Sequence, residues 1–284
     1  MQHVEFFHKE HFEHNYRRAL PPPALGHFID FLWETNFDHL WKDYPKGFSD
    51  ALFPNIGYTY LINLGTPFIM QLEDRSYEMK TDGFLPRHTC LECYHQPGNK
   101  IFGIKFKISP VILEKKINFA EYREYIFPLS YLLDQSIPDK VKEAETFKER
   151  VDIVTNYFLA IIKKREDVLQ PIKIVTEILD NCYRNNEFAV PIETLAEKYN
   201  ISSRTLQRYF EMTTSISSKK ALQIMRIRKA AAHIANSPQT FNHTDYGYYD
   251  HSHFYKHLKK FLQKNTLVNL KPHLKLLSTL HQKD

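Results

Sequence analysis

Arginine and glutamine side chains recur on one side of a predicted helix in the C-terminal part of the chain. Arg204, Gln207 and Arg208 are spaced at i, i+3 and i+4, which places them on one helical face. Arginine can form two hydrogen bonds with guanine O6 and N7, and glutamine can do the same with adenine N6 and N7. The spacing therefore indicates a surface suited to base edges. A solvated polar face on an ordinary helix is the competing interpretation, and periodicity alone leaves both open.

The neighbouring residues predict a helix, a tight turn and a second helix, which together position this face. In the first helix, apolar residues fall at i, i+3, i+4 and i+7: Ile192, Leu195, Ala196 and Tyr199. Asn200 is expected to end that helix in the left-handed conformation, and Ser202 is expected to cap the next one. In the second helix, an apolar face opposes a polar face formed by Ser203, Arg204, Gln207 and Arg208. This is the layout of a DNA-reading helix-turn-helix.

Four motifs follow one another: SSRTLQRYF, a Ser-x-x-Lys from Ser217 to Lys220, a basic helix containing RIRKA, and GYYDHSHFYKHLKKF from Gly247. Together they resemble the AraC/XylS family of bacterial transcription regulators, over roughly residues 170 to 265. The resemblance implies two helix-turn-helix motifs joined by a long helix, with double-stranded DNA as the partner. It assigns base contacts to Arg204, Gln207 and Arg208 in the first recognition helix, and to His251, Ser252 and Lys256 in the second.

Cations gather around the start of the long helix. Phosphate neutralisation dominates affinity for DNA, so we expect some of these cations to contact phosphates. The four candidates are Lys219, Lys220, Arg226 and Arg228. Residues 1–164 hold 20 Lys and Arg against 22 Asp and Glu, whereas residues 165–284 hold 18 against 11. A basic part beside a near-neutral one favours DNA binding by the C-terminal part, and a merely basic surface is the alternative. Lys219 and Lys220 therefore join the predicted DNA surface.

The second helix-turn-helix is predicted to be the weaker one. Its recognition helix has a cap in Asp250 and an apolar stripe of Phe254, Leu258, Phe261 and Leu262. Its supporting helix has Asn242 and His243 where the first motif has Leu195 and Ala196, counting back from Gly247 as from Asn200. We therefore expect a supporting helix shorter by about one turn of 3.6 residues. The tail QKNTLVNLKPHL also departs from the family's pattern.

The sequence pattern of the N-terminal half predicts a β domain. After Pro21-Pro22-Pro23, a short helix leading into a strand is expected in ALGHFIDFLWET, and strands are expected in YTYLINLG, PFIMQLE, SYEMK, GFLP and KIFGIKFKI. The last of these is expected to be half-buried, with its lysines facing water. The strings FPNIGYTYLINLGTPF, FLPRHTCLECY and FGIKFKISP resemble the β-rich, cupin-like domain of a subgroup of AraC-type regulators. In that family this half senses a small molecule or mediates dimerisation.

The fold class is accordingly α+β, with an N-terminal β-sandwich or barrel of cupin-like shape and a C-terminal all-α domain holding two helix-turn-helix motifs. We expect a β-rich sensor or dimerisation domain over 1–134, a helical connector over 135–169 and an AraC-type DNA-binding domain over 170–284. The connector carries an apolar stripe that includes Val154 and Phe158. Packing against the β domain is its expected use, and a homodimer surface is the alternative.

Few residues have the spacing that catalysis or metal binding requires. Cys90-x-x-Cys93, with His88 and His95 nearby, has metal-ligand spacing but no second CxxC pair. A local histidine cluster comprises His3, His8, His11 and His14, for which surface histidines are the expected explanation. Ser-His-Asp, Walker and dinucleotide patterns are missing from the sequence. We therefore predict no catalytic residues, no metal and no cofactor.

Composition and targeting signals indicate a globular cytoplasmic protein. Hydrophobic residues make up 43% and charged residues 25% of the 284 residues, and the three cysteines are too few for a secreted disulfide framework. The first twenty residues offer no signal-peptide core, and no run approaches the length of a membrane span. We expect no membrane partner.

Three functions remain open. The first is a sequence-specific transcription regulator whose β domain senses a small-molecule effector. The second is a DNA-binding unit fused to an alkylation-repair type of enzyme, which would need a reactive thiol at Cys90 or Cys93. The third is a ligand-independent DNA-binding protein whose β domain only dimerises.

Overall fold

The structure is a computed structural model that describes residues 15–113, 125–165, 169–237 and 239–262. The N-terminal histidine cluster and the departing tail QKNTLVNLKPHL lie outside the described residues. Within those ranges there are ten strands: β1 (Tyr16–Ala19), β2 (Ile29–Asn36), β3 (Ser49–Leu52), β4 (Tyr58–Asn63), β5 (Phe68–Leu72), β6 (Arg75–Met79), β7 (Gly83–Pro86), β8 (Leu91–Tyr94), β9 (Lys100–Phe106) and β10 (Phe127–Pro128).

These strands form two antiparallel sheets that pack face to face. The larger has the order β1-β2-β9-β4-β7-β10, and the smaller has the order β3-β8-β5-β6. Their facing side chains share one core, to which the larger sheet contributes Leu61 and Ile101 and the smaller contributes Met70 and Leu91. Alternating inward and outward residues on two stacked sheets make a sandwich. The predicted N-terminal β-sandwich is therefore confirmed, and the short helix predicted before β2 is a single 3-10 turn at Pro23–Leu25.

Helices make up almost all of the regular structure after β10. The described ranges contain eight α-helices: α1 (Leu40–Asp43), α2 (Ser136–Glu143), α3 (Phe147–Lys164), α4 (Leu169–Asn185), α5 (Ile192–Glu197), α6 (Ser203–Thr214), α7 (Ser218–Asn236) and α8 (His251–Leu262). None of these helices is both long and apolar enough to cross a membrane.

Helix α3 covers the outer face of the larger sheet. Thr146 caps it through a capping box with Glu149, in which each side chain accepts a hydrogen bond from the other residue's backbone. Phe158 packs its ring at 5.5 Å from the rings of both Phe28 and Phe106. Val154 and Phe158 are buried in the same core as these sheet residues. The connector's apolar stripe thus packs against the β domain, as the first of the two interpretations predicted.

A buried ion pair fixes α3 to the sheet below it. The Arg150 guanidinium donates to the Glu34 carboxylate on β2 at 2.9 Å, and both side chains are almost fully buried. Arg150 also donates to the carbonyl oxygens of Val141 and Ala144 near the end of α2. Because a buried charge is stable only when it is paired and hydrogen-bonded, these contacts determine where α2 and α3 lie.

Strand β9 was predicted to be half-buried, but every residue from Ile101 to Phe106 is buried. It pairs with β2 on one side and β4 on the other, so it is a central strand. Lys105, which was expected to face water, is 1% exposed and lines a cavity of about 80 Å³ together with Thr176 and Asp180 of α4. The prediction was wrong because α4 covers this part of the sheet, and alternation along one strand cannot reveal that cover.

The β domain and the C-terminal helices share a third core. Ala51, Phe53, Ile56 and Cys90 from the β domain are buried with apolar residues of α4 to α8. The Phe53 ring stacks on Phe261 of α8 at 5.4 Å, and the backbone amide of Ser109 donates to the carbonyl of Thr213 in α6 at 2.5 Å. The two parts are therefore held together by packing as well as by the chain between them.

Candidate nucleic-acid interface

The first helix-turn-helix has the local geometry that its sequence predicts. Leu195 and Ala196 of α5 are buried, and Asn200 adopts a φ of 54° just beyond the helix end. Ser202 then caps α6, since its side chain accepts a hydrogen bond from the Thr205 amide at 3.1 Å. Asparagine tolerates the left-handed conformation better than most residues, and serine is a preferred N-cap. The turn and the start of the recognition helix are thus specified by two local residues.

The polar face of α6 points away from the core. Leu206 and Phe210 are fully buried, whereas Arg204 and Arg208 are exposed and Ser203 and Gln207 are half-buried. Gln207 is held from two sides: its amide donates to the Glu211 carboxylate at 3.0 Å, and its carbonyl oxygen accepts from the Ser218 hydroxyl at 3.0 Å. The helix therefore presents two exposed cationic side chains around an amide whose orientation is set by two hydrogen bonds.

Helix α7 carries the four candidate phosphate-binding cations, and they differ in exposure. The two lysines are exposed, whereas Arg226 is half-buried and Arg228 is buried. Ser217 caps the helix by accepting from the Lys220 amide at 3.3 Å. Lys219 and Lys220 are exposed at this end. Lys220 lines a cleft between α7, α8 and the β domain, and burial together with nearby Lys260 lowers its pKa. Only the first turn of α7 therefore offers exposed lysines.

Two of the four cations from which phosphate contacts were expected are directed elsewhere. Arg228 is 3% exposed and donates to the carbonyl oxygens of Phe53 and Pro54 at 3.3 and 3.2 Å, so it is not among those that lie open to phosphate. Arg226 is half-buried, donates to the Gly247 carbonyl at 3.3 Å and lies 4.0 Å from the ring centre of Tyr248. Both arginines lie where α7 meets another part of the fold, and composition alone could not show this.

The second helix-turn-helix has a reduced supporting element. In place of a helix, a single 3-10 turn spans His243–Tyr246, and Asn242 caps it by accepting from the Thr244 amide at 3.1 Å. Tyr246 is buried, and a hydrogen bond of 2.7 Å joins its hydroxyl to His233 of α7. Gly247 follows with a φ of 73°, a conformation that glycine adopts without strain. The shorter supporting helix predicted from the sequence is confirmed.

The second recognition helix is well formed. Asp250 accepts a hydrogen bond from the His253 amide at 2.7 Å and so caps α8. Phe254 and Leu258 are fully buried, whereas Ser252 and Lys256 are exposed and His251 is half-buried. The three side chains that the family resemblance assigns to base contacts thus lie near the N-terminal half of α8, as recognition requires.

One exposed aromatic residue was missed. Tyr249 is 93% exposed and directly precedes the cap residue Asp250. Its place after Gly247 and Tyr248 was visible in the motif, but only the structure shows that Tyr248 turns inward and Tyr249 outward. An exposed tyrosine beside a recognition helix can stack or donate to a phosphate.

The cysteine and histidine group of the β domain does not form a metal or redox centre. Cys90 is buried in the core shared with the helices, whereas Cys93 is buried between the two sheets. His95 stacks on Phe37 and is joined to Asn99 at 2.7 Å, and His88 is joined to the Tyr58 hydroxyl at 3.3 Å. Within the described ranges, no three His, Cys, Asp or Glu side chains are placed to hold a metal ion.

Comparisons with known proteins address the C-terminal part most directly. A family model of the helix-turn-helix domain matches residues 195–265. No curated protein matches the sequence. Two crystal structures of ToxT from Vibrio cholerae are similar over nearly the full length. One has 10% identity and a TM-score of 0.44, covering 93% of this chain and 98% of that one. The other, from strain O395, has 11% identity and a TM-score of 0.45, covering 94% and 96%.

The matched segment begins in α5 and takes in both recognition helices and the long helix between them. It therefore contains the buried Leu195–Ala196 pair, the Asn200 turn, the polar face of α6 and the capped helix α8. The segment from residue 195 to residue 265 is thus a helix-turn-helix domain.

Proposed function

We propose that the protein is a sequence-specific DNA-binding transcription regulator whose N-terminal β domain senses a small molecule. The observation that carries the proposal is the arrangement on α6. Gln207 is oriented by Ser218 and Glu211, and exposed Arg204 and Arg208 lie on either side of it along the helix. An amide of fixed orientation can discriminate adenine by two hydrogen bonds, and arginine can do the same for guanine.

We assign direct base contacts to Arg204, Gln207 and Arg208, with Ser203 beside them. Lys219 supplies a phosphate contact at the start of α7, and Lys220 is a second candidate there. A smaller contribution comes from the second motif through His251, Ser252 and Lys256. The β domain, over residues 1–134, is the sensing or dimerisation part, residues 135–169 connect it, and residues 170–284 bind DNA.

The test is a selection of bound sequences from a random duplex library with the full-length protein. A regulator enriches one motif, and its affinity falls steeply with salt because several phosphates are neutralised. The triple variant Arg204→Ala, Gln207→Ala, Arg208→Ala should no longer enrich that motif. Enrichment of no motif by the parent protein would refute the proposal.

The alkylation-repair alternative receives no support from the positions of the cysteines. A methyl-accepting thiolate must be accessible and electropositive in its surroundings. Cys90 and Cys93 are 2% and 4% exposed and face different cores. Incubation with methylated DNA followed by mass spectrometry is expected to show no methyl group on either residue.

A further inference from the structure

A cleft of about 610 Å³ lies between the β domain and the DNA-binding helices. Its walls come from three parts of the chain. His88 and Thr89 belong to the β domain, Lys220 and Gln223 to α7, and His257 and Lys260 to α8. The volume falls within the range of about 300–1,000 Å³ that small-molecule sites occupy. The cleft is therefore the size of a metabolite rather than of a nucleic acid duplex.

The charges around this cleft are mostly of one sign. Three lysines line it, Lys220, Lys259 and Lys260, together with one carboxylate, that of Glu73. Among the described residues, no carboxylate forms an ion pair with any of the three. Burial lowers the pKa of Lys220, and the nearby positive charge of Lys260 lowers it further.

The positive charges around the cleft also affect the imidazole of His257, which lines it. The pKa of His257 is lowered by burial and then by the positive charges of His253, Arg226, Lys260 and Lys220. Like charges brought together on a folded surface store repulsive free energy, which a multivalent anion would relieve. Lysine ammonium groups are suited to this because they bind phosphate as point charges.

The cleft also has an apolar part to its lining. Ile224 and Ile227 of α7 and Phe261 of α8 line it, and all three are more than nine-tenths buried. A ligand with its charge at one end and an apolar part at the other fits a lining that contains both lysines and apolar side chains.

We propose that this cleft binds a small phosphomonoester, with its dianionic phosphate between Lys220 and Lys260 and its organic part on Ile224, Ile227 and Phe261. A single carboxylate would neutralise one cation of the three, whereas a phosphomonoester carries close to two charges at neutral pH. The inference rests on the proposed regulator function, since it names the class of small molecule that the protein senses.

Binding here would act on DNA recognition through α7 and α8. Lys220 lies one turn from Ser217 and Ser218, and the Ser218 hydroxyl orients Gln207. Lys260 lies on the helix that also bears Ser252 and Lys256. A ligand that binds both lysines fixes α8 relative to α7 and therefore fixes the second recognition helix relative to the first. By linkage, DNA must change the ligand's affinity by the same factor.

The experiment uses isothermal titration calorimetry on the full-length protein at constant ionic strength. The probes are glycerol 3-phosphate, glucose 6-phosphate and inorganic phosphate, with glycerol, glucose and acetate as uncharged or singly charged comparisons. We expect at least one phosphomonoester to bind more tightly than acetate and its parent alcohol. Lys220→Gln and Lys260→Gln should each weaken it by about tenfold or more, as loss of a charge-assisted contact predicts. Lys163→Gln, an exposed lysine on α3, removes the same charge and should have no effect.

Two results would overturn this inference without affecting the proposed function. The first is sequence-specific DNA binding by the protein with no binding of any phosphorylated probe. The second is an equal loss in all three lysine variants, which would reflect net charge rather than a site. If no probe binds and the two cleft variants each lower the salt slope of DNA binding by about one unit, the lysines serve the duplex backbone instead.

Discussion

Arg87 and Arg228 donate to the same oxygen atom, the carbonyl of Phe53, at 3.2 and 3.3 Å from opposite sides of the domain boundary. Arg87 belongs to the β domain. Arg228 belongs to α7, the long helix between the two recognition helices. Both arginines are almost fully buried. A few residues after β3 are thus bound by cations from both parts of the molecule, and the orientation of α7 depends on them.

Arg228→Ala should destabilise the protein rather than weaken its phosphate contacts. It removes the donor from the Pro54 carbonyl oxygen and one of the two donors from the Phe53 carbonyl oxygen, which keeps Arg87. Losing hydrogen bonds to acceptors at this boundary costs about 1–3 kcal/mol. Urea unfolding measures this loss. Lys163→Ala, an exposed substitution, should change the free energy of unfolding by less than about 0.5 kcal/mol. Unchanged stability combined with a smaller salt slope would restore Arg228 to the DNA surface.

Gln207→Ala and Arg208→Ala should each cost about 1–3 kcal/mol on the preferred DNA site and relax the choice at one base position. Binding to a set of single-base variants of that site measures both effects. Ser218→Ala should reproduce part of the Gln207 effect, because it removes the hydroxyl that orients the Gln207 carbonyl oxygen. Equal weakening on every sequence would instead assign these side chains to phosphates.

Lys219→Gln should lower the slope of log affinity against log salt by about 0.9 and leave the sequence preference unchanged. The reason is that Lys219 is exposed in the first turn of α7, close to Gln207 of the recognition helix. Affinity titrations at four or five salt concentrations give the slope. Lys163→Gln is the matched control, and an equal change in both variants would exclude a local contact.

His251→Ala and Lys256→Ala should weaken DNA binding less than substitutions on α6, because a single 3-10 turn supports the second motif. Hydroxyl-radical footprinting should then show one strongly protected major-groove segment per protomer. Two equally protected segments, about 10–10.5 base pairs apart, would show that α8 docks as fully as α6.

Acidification should reduce the stability of the protein through His257. Its pKa is lowered in the folded state, mainly by burial and then by neighbouring cations, whereas an unfolded imidazole titrates near about 6.5. As the pH falls through that value the unfolded chain binds the proton first, so the free energy of unfolding decreases. Asn at position 257 removes this effect. The fall in Tm from about pH 7 to pH 5 should therefore be smaller in His257→Asn, and an identical fall would refute the argument.

Local signals were the most predictive part of the sequence. Asn200 and Ser202 specified the turn and cap of the first motif, and both behave in the structure as the residue types predict. Asp250 did the same for α8. The shortened support of the second motif followed from the polarity of Asn242 and His243. Each of these inferences depends on residues within a few positions of one another, where physical preferences are strong.

Contacts between residues far apart in the chain could not be predicted from the sequence. Lys105 was expected to face water and Arg228 was one of four candidates for phosphate contacts, and both are buried because a distant segment covers them. Lys105 lies under α4, about seventy positions along the chain, and Arg228 reaches residues 174 and 175 positions away. Strands β1, β3, β8 and β10 were not predicted individually, and none is longer than four residues. Short strands derive their stability from pairing, which periodicity along one segment does not record.

The stack of Phe53 on Phe261 limits how freely this protein could exchange parts with its relatives through recombination. A chimaera that joined these DNA-binding helices to another sensor would bury no ring against Phe261. It would also leave the Arg228 guanidinium in an apolar surface without the two carbonyls that accept from it. A viable exchange would have to carry the segment after β3 along with the helices. The β domain and the DNA-binding helices therefore have to change together, because a few residues after β3 contact both of them.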